Sequence, residues 1–74
     1  ETGRLKMLVK LKVLRIEKGM SQKDLARALG TNQSNVSAWE TGRATPRPPM
    51  MQKIADYFHV KKDDIFFAAF NYLK

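Results

Sequence analysis

The sequence predicts an all-α domain, a compact bundle of five short helices. Three observations carry that expectation. Apolar residues recur three and four positions apart through most of the chain. Glycines at 19, 30 and 42 each follow such a segment, where a helix would stop. The chain has 74 residues and no cysteine, so it supports one modest core with no disulfide and no thiolate metal site.

The first helix is expected from Leu5 to Lys18. Met7, Leu11 and Leu14 form an i, i+4, i+7 stripe, and Gly19 supplies the stop. A competing period is present, because Val9, Leu11 and Val13 alternate with Lys10 and Lys12 as in a half-buried strand. Length favours the helix, with a short strand near Leu8–Val9 as the alternative.

The second helix opens on Ser21, with Asp24 three residues later, a capping-box-like pair that also places an acid at the positive helix end. Leu25, Ala26 and Leu29 form its inner face and Gly30 ends it. Asn32 is the expected cap of a third helix that runs to about Thr41 and stops at Gly42. Val36 and Trp39, three apart, face the core together, so the indole is assigned to packing and not to base stacking.

Three prolines make Arg43 to Pro49 a loop and put Pro48 or Pro49 in the first turn of a fourth helix, where a missing N–H costs least. Met51, Ile54, Ala55 and Phe58 carry its apolar stripe, and His59 falls at its end. A fifth helix is expected to begin near Lys61. Asp63 and Asp64 occupy its first turn, as charge complements of the helix end and not as a metal or acid–base pair, and Ile65 and Phe66 point inward.

Residues 1–6 read as an expression remnant or disordered start, 7–67 as one domain, and 68–74 as an apolar tail. No apolar run approaches the roughly 20 residues a membrane span needs, and no secretory signal is visible. The net charge is +7, from 14 Lys and Arg against 7 Asp and Glu, which favours a polyanionic partner. The excess is concentrated early: residues 1–27 hold eight basic and three acidic side chains.

The face left by the third helix is unusual. Gln33, Ser34, Asn35, Ser37 and Ala38 are short, uncharged and mostly polar. Two short helices joined by a tight glycine-containing turn make a helix-turn-helix unit, whose second helix can enter the DNA major groove. Amide side chains suit that groove because each offers a donor and an acceptor in one plane, and short side chains let the helix come close.

These residues carry a resemblance. In LR...KGMSQKDLA, LG...S.VS.WE.G, and the later Ile54-Ala55-Asp56, Phe58, Val60 and Asp63-Asp64-Ile65-Phe66, the chain resembles the phage-repressor/Cro-type (Xre-family) helix-turn-helix DNA-binding domains. The match runs from Leu11 to Phe66, and the joint spacing makes it specific. It implies a lambda-repressor-like fold with the helix-turn-helix at helices two and three.

The resemblance also implies roles. Gln22 would contact a DNA phosphate, and Gln33, Ser34, Ser37 and Ala38 would reach base edges. Asn35 would contact a phosphate, with a base contact left open, and Arg43 would lie near the sugar–phosphate chain. Arg15 and Glu40 would form a buried structural ion pair. The chain departs from the pattern at Thr31, usually apolar, where the turn either packs less tightly or uses the hydroxyl on a phosphate. Ala38 replaces a long polar side chain and offers only a methyl contact. His59 replaces a common glycine.

The expected activity is therefore sequence-specific binding of double-stranded DNA by a transcriptional regulator, a repressor acting as a homodimer on a pseudo-palindromic operator. The setting would be the cytoplasm of a bacterial or phage-infected cell. Phe66, Phe67, Phe70, Tyr72 and Leu73 are the candidate dimer contact; the alternative is that the tail folds back on its own core. The other reading is an autoregulating antitoxin whose tail binds a toxin protein. Lys10, Lys12, Lys18, Lys23 and Arg27 are either phosphate contacts or a solvated face. No cofactor, metal, membrane or small-molecule substrate is expected. An enzyme is not expected either: there is no nucleophile with a matched base, no His/Cys cluster and no phosphate-cradling glycine loop.

Overall fold

The computed structural model describes residues 2–61 and 65, with side chains from Lys10 onward. Among the described residues there are four helices and no strand: α1 (Thr2–Glu17), α2 (Gln22–Leu29), α3 (Gln33–Thr41) and α4 (Pro48–Phe58). Four of the five expected helices thus stand among the described residues. Lys61 is not helical, and of the segment expected to form a fifth helix only Ile65 is described, helical and buried. Asp63, Asp64 and the apolar tail lie outside the described residues.

α1 begins at Thr2, three residues before the expected start, and Leu8–Val9 are helical, so no strand forms there. The helical period wins over the alternating one. Leu11 is 2% exposed while Val13 is 40% exposed, whereas a strand would have put both on one face. Gly19 closes the helix at φ 69°, and the Met20 N–H reaches back to the Arg15 carbonyl at 3.2 Å.

The two helices that follow are delimited by their caps. Asp24 N–H donates to Ser21 Oγ, and Ser21 N–H donates to Asp24 Oδ2, each at 3.0 Å, which completes a reciprocal capping box. The N–H that the carboxylate accepts holds the Asp24 carboxyl below its ordinary range, with the Ser21 hydroxyl bond adding to the effect. Gly30 takes the left-handed conformation at φ 73°, and the Thr31 N–H then bonds the Ala26 carbonyl at 2.9 Å. Two residues later Asn32 Oδ1 accepts the Asn35 N–H at 2.9 Å and starts α3. The turn between α2 and α3 is short because the C-cap of one nearly abuts the N-cap of the other.

α4 opens with Pro48 and Pro49 and has no side-chain cap. It ends at His59 in the left-handed region (φ 58°, ψ 43°), the one described non-glycine residue at positive φ. The core gathers Leu11, Leu25, Leu29, Val36, Ile54 and Ile65, all at most 2% exposed, with Trp39, Met51 and Phe58 around them. Burying side chains of this size stabilises by about 1.5–3 kcal/mol each before entropy is subtracted. α2 and α3 pack on this core and on each other, which sets the pose of α3.

Candidate nucleic-acid interface

α3 turns Val36, Trp39 and Glu40 inward. Gln33, Ser34 and Asn35 are consequently exposed, and Ser37 and Ala38, one turn on, are half-buried. Thr41 continues the same side of the helix, but its hydroxyl donates back to the Ser37 carbonyl at 3.0 Å. The outward surface therefore presents amide and hydroxyl groups at its N-terminal end and little side chain beyond Ser37 and Ala38. A surface so short allows close approach of the helix backbone to a groove, and its amides can pair with base edges.

Behind this face lies a polar chain. Arg15 Nε donates to Glu40 Oε2 at 2.6 Å and Arg15 Nη2 to Glu40 Oε1 at 3.2 Å; the pair is buried, and Arg15 Nη1 also donates to the Met20 carbonyl at 2.8 Å. Gln22, the first residue of α2, donates its Nε2 to Glu40 Oε1 at 3.0 Å. The sequence alone had given no sign of that bond. One Nε2 hydrogen is thus engaged inside the domain, leaving the second for another acceptor.

On the other side of α3 the Asn35 amide is similarly engaged. Its Nδ2 donates to Thr31 Oγ1 at 2.8 Å. These two residues line a cleft of about 360 Å³ between α3 and the loop leading to α4, together with Trp39, Thr45, Arg47 and Met50. Arg47 is exposed, immediately precedes α4, and lines this cleft with the α3 residues Asn35 and Trp39. Its proline neighbours, which hold the loop extended, were the one hint in the sequence. Arg43 is exposed on the same loop, its N–H bonded to the Ala38 carbonyl at 2.9 Å.

Among the other cations, Lys10, Lys12, Lys23 and Arg27 are exposed. Lys18 is exposed as well, with its ammonium 5.1 Å from the centroid of the Tyr57 ring. The apolar tail residues Phe66, Phe67, Phe70, Tyr72 and Leu73 lie outside the described residues. Among the described residues no helix is long and apolar enough to cross a membrane, and no group of His, Asp and Glu is placed to hold a metal ion.

The sequence model of a family described as helix-turn-helix matches residues 11–65, which include all of α2, α3 and α4. The chain belongs to the helix-turn-helix family. An uncharacterized HTH-type transcriptional regulator of Methanocaldococcus jannaschii is 40% identical over 57 residues, covering 77% of this chain and 86% of that protein. No solved structure gives a significant match. Both α2 and α3 lie within the matched residues, and the short polar face turned outward belongs to α3.

Proposed function

We propose that this protein is a sequence-specific double-stranded DNA-binding regulator of transcription, that it acts as a repressor, and that it works as a homodimer on a pseudo-palindromic operator. Membership of the helix-turn-helix family supports the DNA-binding reading, and a relative named as a transcriptional regulator supports the regulatory one. The observation that carries the proposal is the face of α3: Gln33, Ser34, Ser37 and Ala38, short and uncharged, on a helix fixed to its partner by buried contacts.

In this reading α3 lies in the major groove and Gln33 and Ser34 contact base edges, with Ser37 and the Ala38 methyl group one turn along. Phosphate contacts come from Gln22, Arg43 and the Thr31–Asn35 edge. They supply affinity without sequence information, which is why the reading face needs no charge of its own. One helix of this length reads only a few base pairs. Two copies on a two-fold axis, with reading helices about 34 Å apart, would combine two half-sites. The apolar tail is the proposed contact between copies.

Selection of bound sequences from a random duplex library tests all parts together. A palindromic motif with half-sites about one helical turn apart is expected. A single asymmetric half-site would remove the dimer, and no enrichment over the starting library would sink the DNA-reading function itself.

A further inference from the structure

Thr31 stands at the C-terminal side of the α2–α3 turn, half-buried, its backbone N–H bonded to the Ala26 carbonyl. Its side chain accepts the Asn35 Nδ2 hydrogen at 2.8 Å. A hydroxyl has one hydrogen to donate and lone pairs to accept with. With one lone pair occupied by Asn35, the hydroxyl hydrogen must turn away from that amide. Among the described residues no hydrogen bond uses Thr31 Oγ1 as the donor. The residue lines the cleft beside α3, whose floor is the buried Trp39 and the half-buried Met50 and whose rim carries Thr45 and the exposed Arg47.

We infer that this cleft is a seat for one sugar–phosphate unit of the duplex, that the Thr31 hydroxyl donates to its phosphate, and that Asn35 is the positioning residue that turns the hydroxyl toward it. The chemistry of the lining divides to suit such a unit. Trp39 and Met50 present an apolar floor to the deoxyribose ring, while Thr31, Thr45 and Arg47 surround the anionic end with donors and positive charge. The domain as a whole is cationic, at +7, and the cleft opens beside the helix proposed to enter the groove. Asn35 then has a different part from the direct phosphate contact first expected of it. One hydrogen of its Nδ2 already serves Thr31 and so fixes the amide against that hydroxyl, and its backbone N–H already serves the Asn32 cap. It acts through Thr31, and it also strengthens the donor, since a hydroxyl that accepts a hydrogen bond donates a stronger one.

The inference rests on the proposal that the protein binds duplex DNA, and the experiment separates the two. Binding is measured by fluorescence anisotropy on a selected duplex and on a random duplex of equal length, for wild type, Thr31→Val, Thr31→Ser, Asn35→Ala and the Thr31→Val/Asn35→Ala double variant. Thr31→Val keeps the shape of a half-buried side chain and removes only the hydroxyl. It should weaken both duplexes alike, by roughly tenfold, with an unchanged salt slope because no charge is removed. Thr31→Ser should bind as wild type does. Asn35→Ala should weaken binding severalfold in the wild-type background and have no effect in the Thr31→Val background, the signature of one residue acting through the other.

Equal losses from Asn35→Ala in both backgrounds would mean that Asn35 touches DNA itself, and the inference would fall while the DNA-binding reading stood. Wild-type affinity in Thr31→Val, or a loss confined to the selected duplex, would overturn it likewise. Absence of binding by the wild-type protein to any duplex would remove the underlying reading and the inference with it.

Discussion

Arg15 on α1 and Glu40 on α3 lie 25 residues apart in sequence and meet at 2.6 Å inside the domain. Both side chains are nearly out of contact with solvent, at 11% and 3% exposed. The carboxylate also accepts from Gln22 and the guanidinium also donates to the Met20 carbonyl, so no buried polar side-chain atom among the described residues is left without a partner. Such a pair is costly to break and less costly to replace. Arg15→Met strands the Glu40 charge and should destabilise by about 3–5 kcal/mol. Arg15→Met combined with Glu40→Leu should recover a large part of that loss, because no uncompensated charge remains. Urea unfolding of the single and double variants checks this; a double variant no more stable than the single would show that the pair contributes net stability.

Gln33 is the first residue of α3, exposed at the end that would enter a groove first. A bidentate amide–base pair contributes about 1–3 kcal/mol of discrimination. Gln33→Ala should therefore lose selectivity between a selected duplex and its base-substituted forms by that amount, with nonspecific affinity near normal. Competition binding gives the comparison, and equal weakening on every duplex would assign Gln33 to the backbone.

Arg43 is exposed in the loop after α3 and held there by its N–H bond to the Ala38 carbonyl. If its guanidinium neutralises one phosphate, Arg43→Ala should weaken all duplexes alike. The slope of log affinity against log salt should become shallower by about one unit. Titrations at several salt concentrations measure that slope, and an unchanged value rejects the contact.

These residues differ in how readable they were. The ends of α2 and α3 follow from chemistry local to a few positions: Ser21 with Asp24, Gly30, Asn32 and Gly42 each answer to unpaired helix-end groups next to them in the chain. Membership of a helix-turn-helix family was legible from the same spacing taken jointly. What no spacing conveys is which polar groups meet across elements. The Gln22–Glu40 bond joins residues 18 apart on two helices and exists only because α2 and α3 pack as they do. Arg47 reaches the edge of α3 through a proline-rich loop whose path depends on α4. On α1 two periods competed, and packing of Leu11 decided between them.

Asp24 offers a test through pH. Ser21 N–H and Oγ hold its carboxyl below the ordinary value, so the folded state favours the ionised form more than the unfolded state does. The resulting stability is present above the unfolded value of about 3.9 and is lost as pH falls through the lower folded value. Asp24→Asn should accordingly melt at a lower temperature than wild type at neutral pH, and the gap should narrow as pH falls below about 4. Thermal unfolding followed by circular dichroism across that range measures it. A gap constant with pH would show that the charge on Asp24 adds nothing beyond the hydrogen bond an amide can make.

His59 ends α4 at φ 58°, a conformation that costs a residue with a Cβ about 1–2 kcal/mol. Its own N–H bonds back to the last turn, and the Val60 N–H reaches the Ala55 carbonyl at 3.0 Å, so the backbone needs this left-handed residue to complete the cap. Glycine would remove the steric cost, and its greater freedom in the unfolded chain would return about 0.5–1 kcal/mol of that gain. His59→Gly should thus stabilise the domain by about 0.5–1 kcal/mol, seen as a higher urea midpoint at unchanged m. His59→Val should do the opposite, since a branched Cβ is the least tolerated in the left-handed region. A loss of stability in His59→Gly would mean that the imidazole itself makes a contact more valuable than the relief of strain.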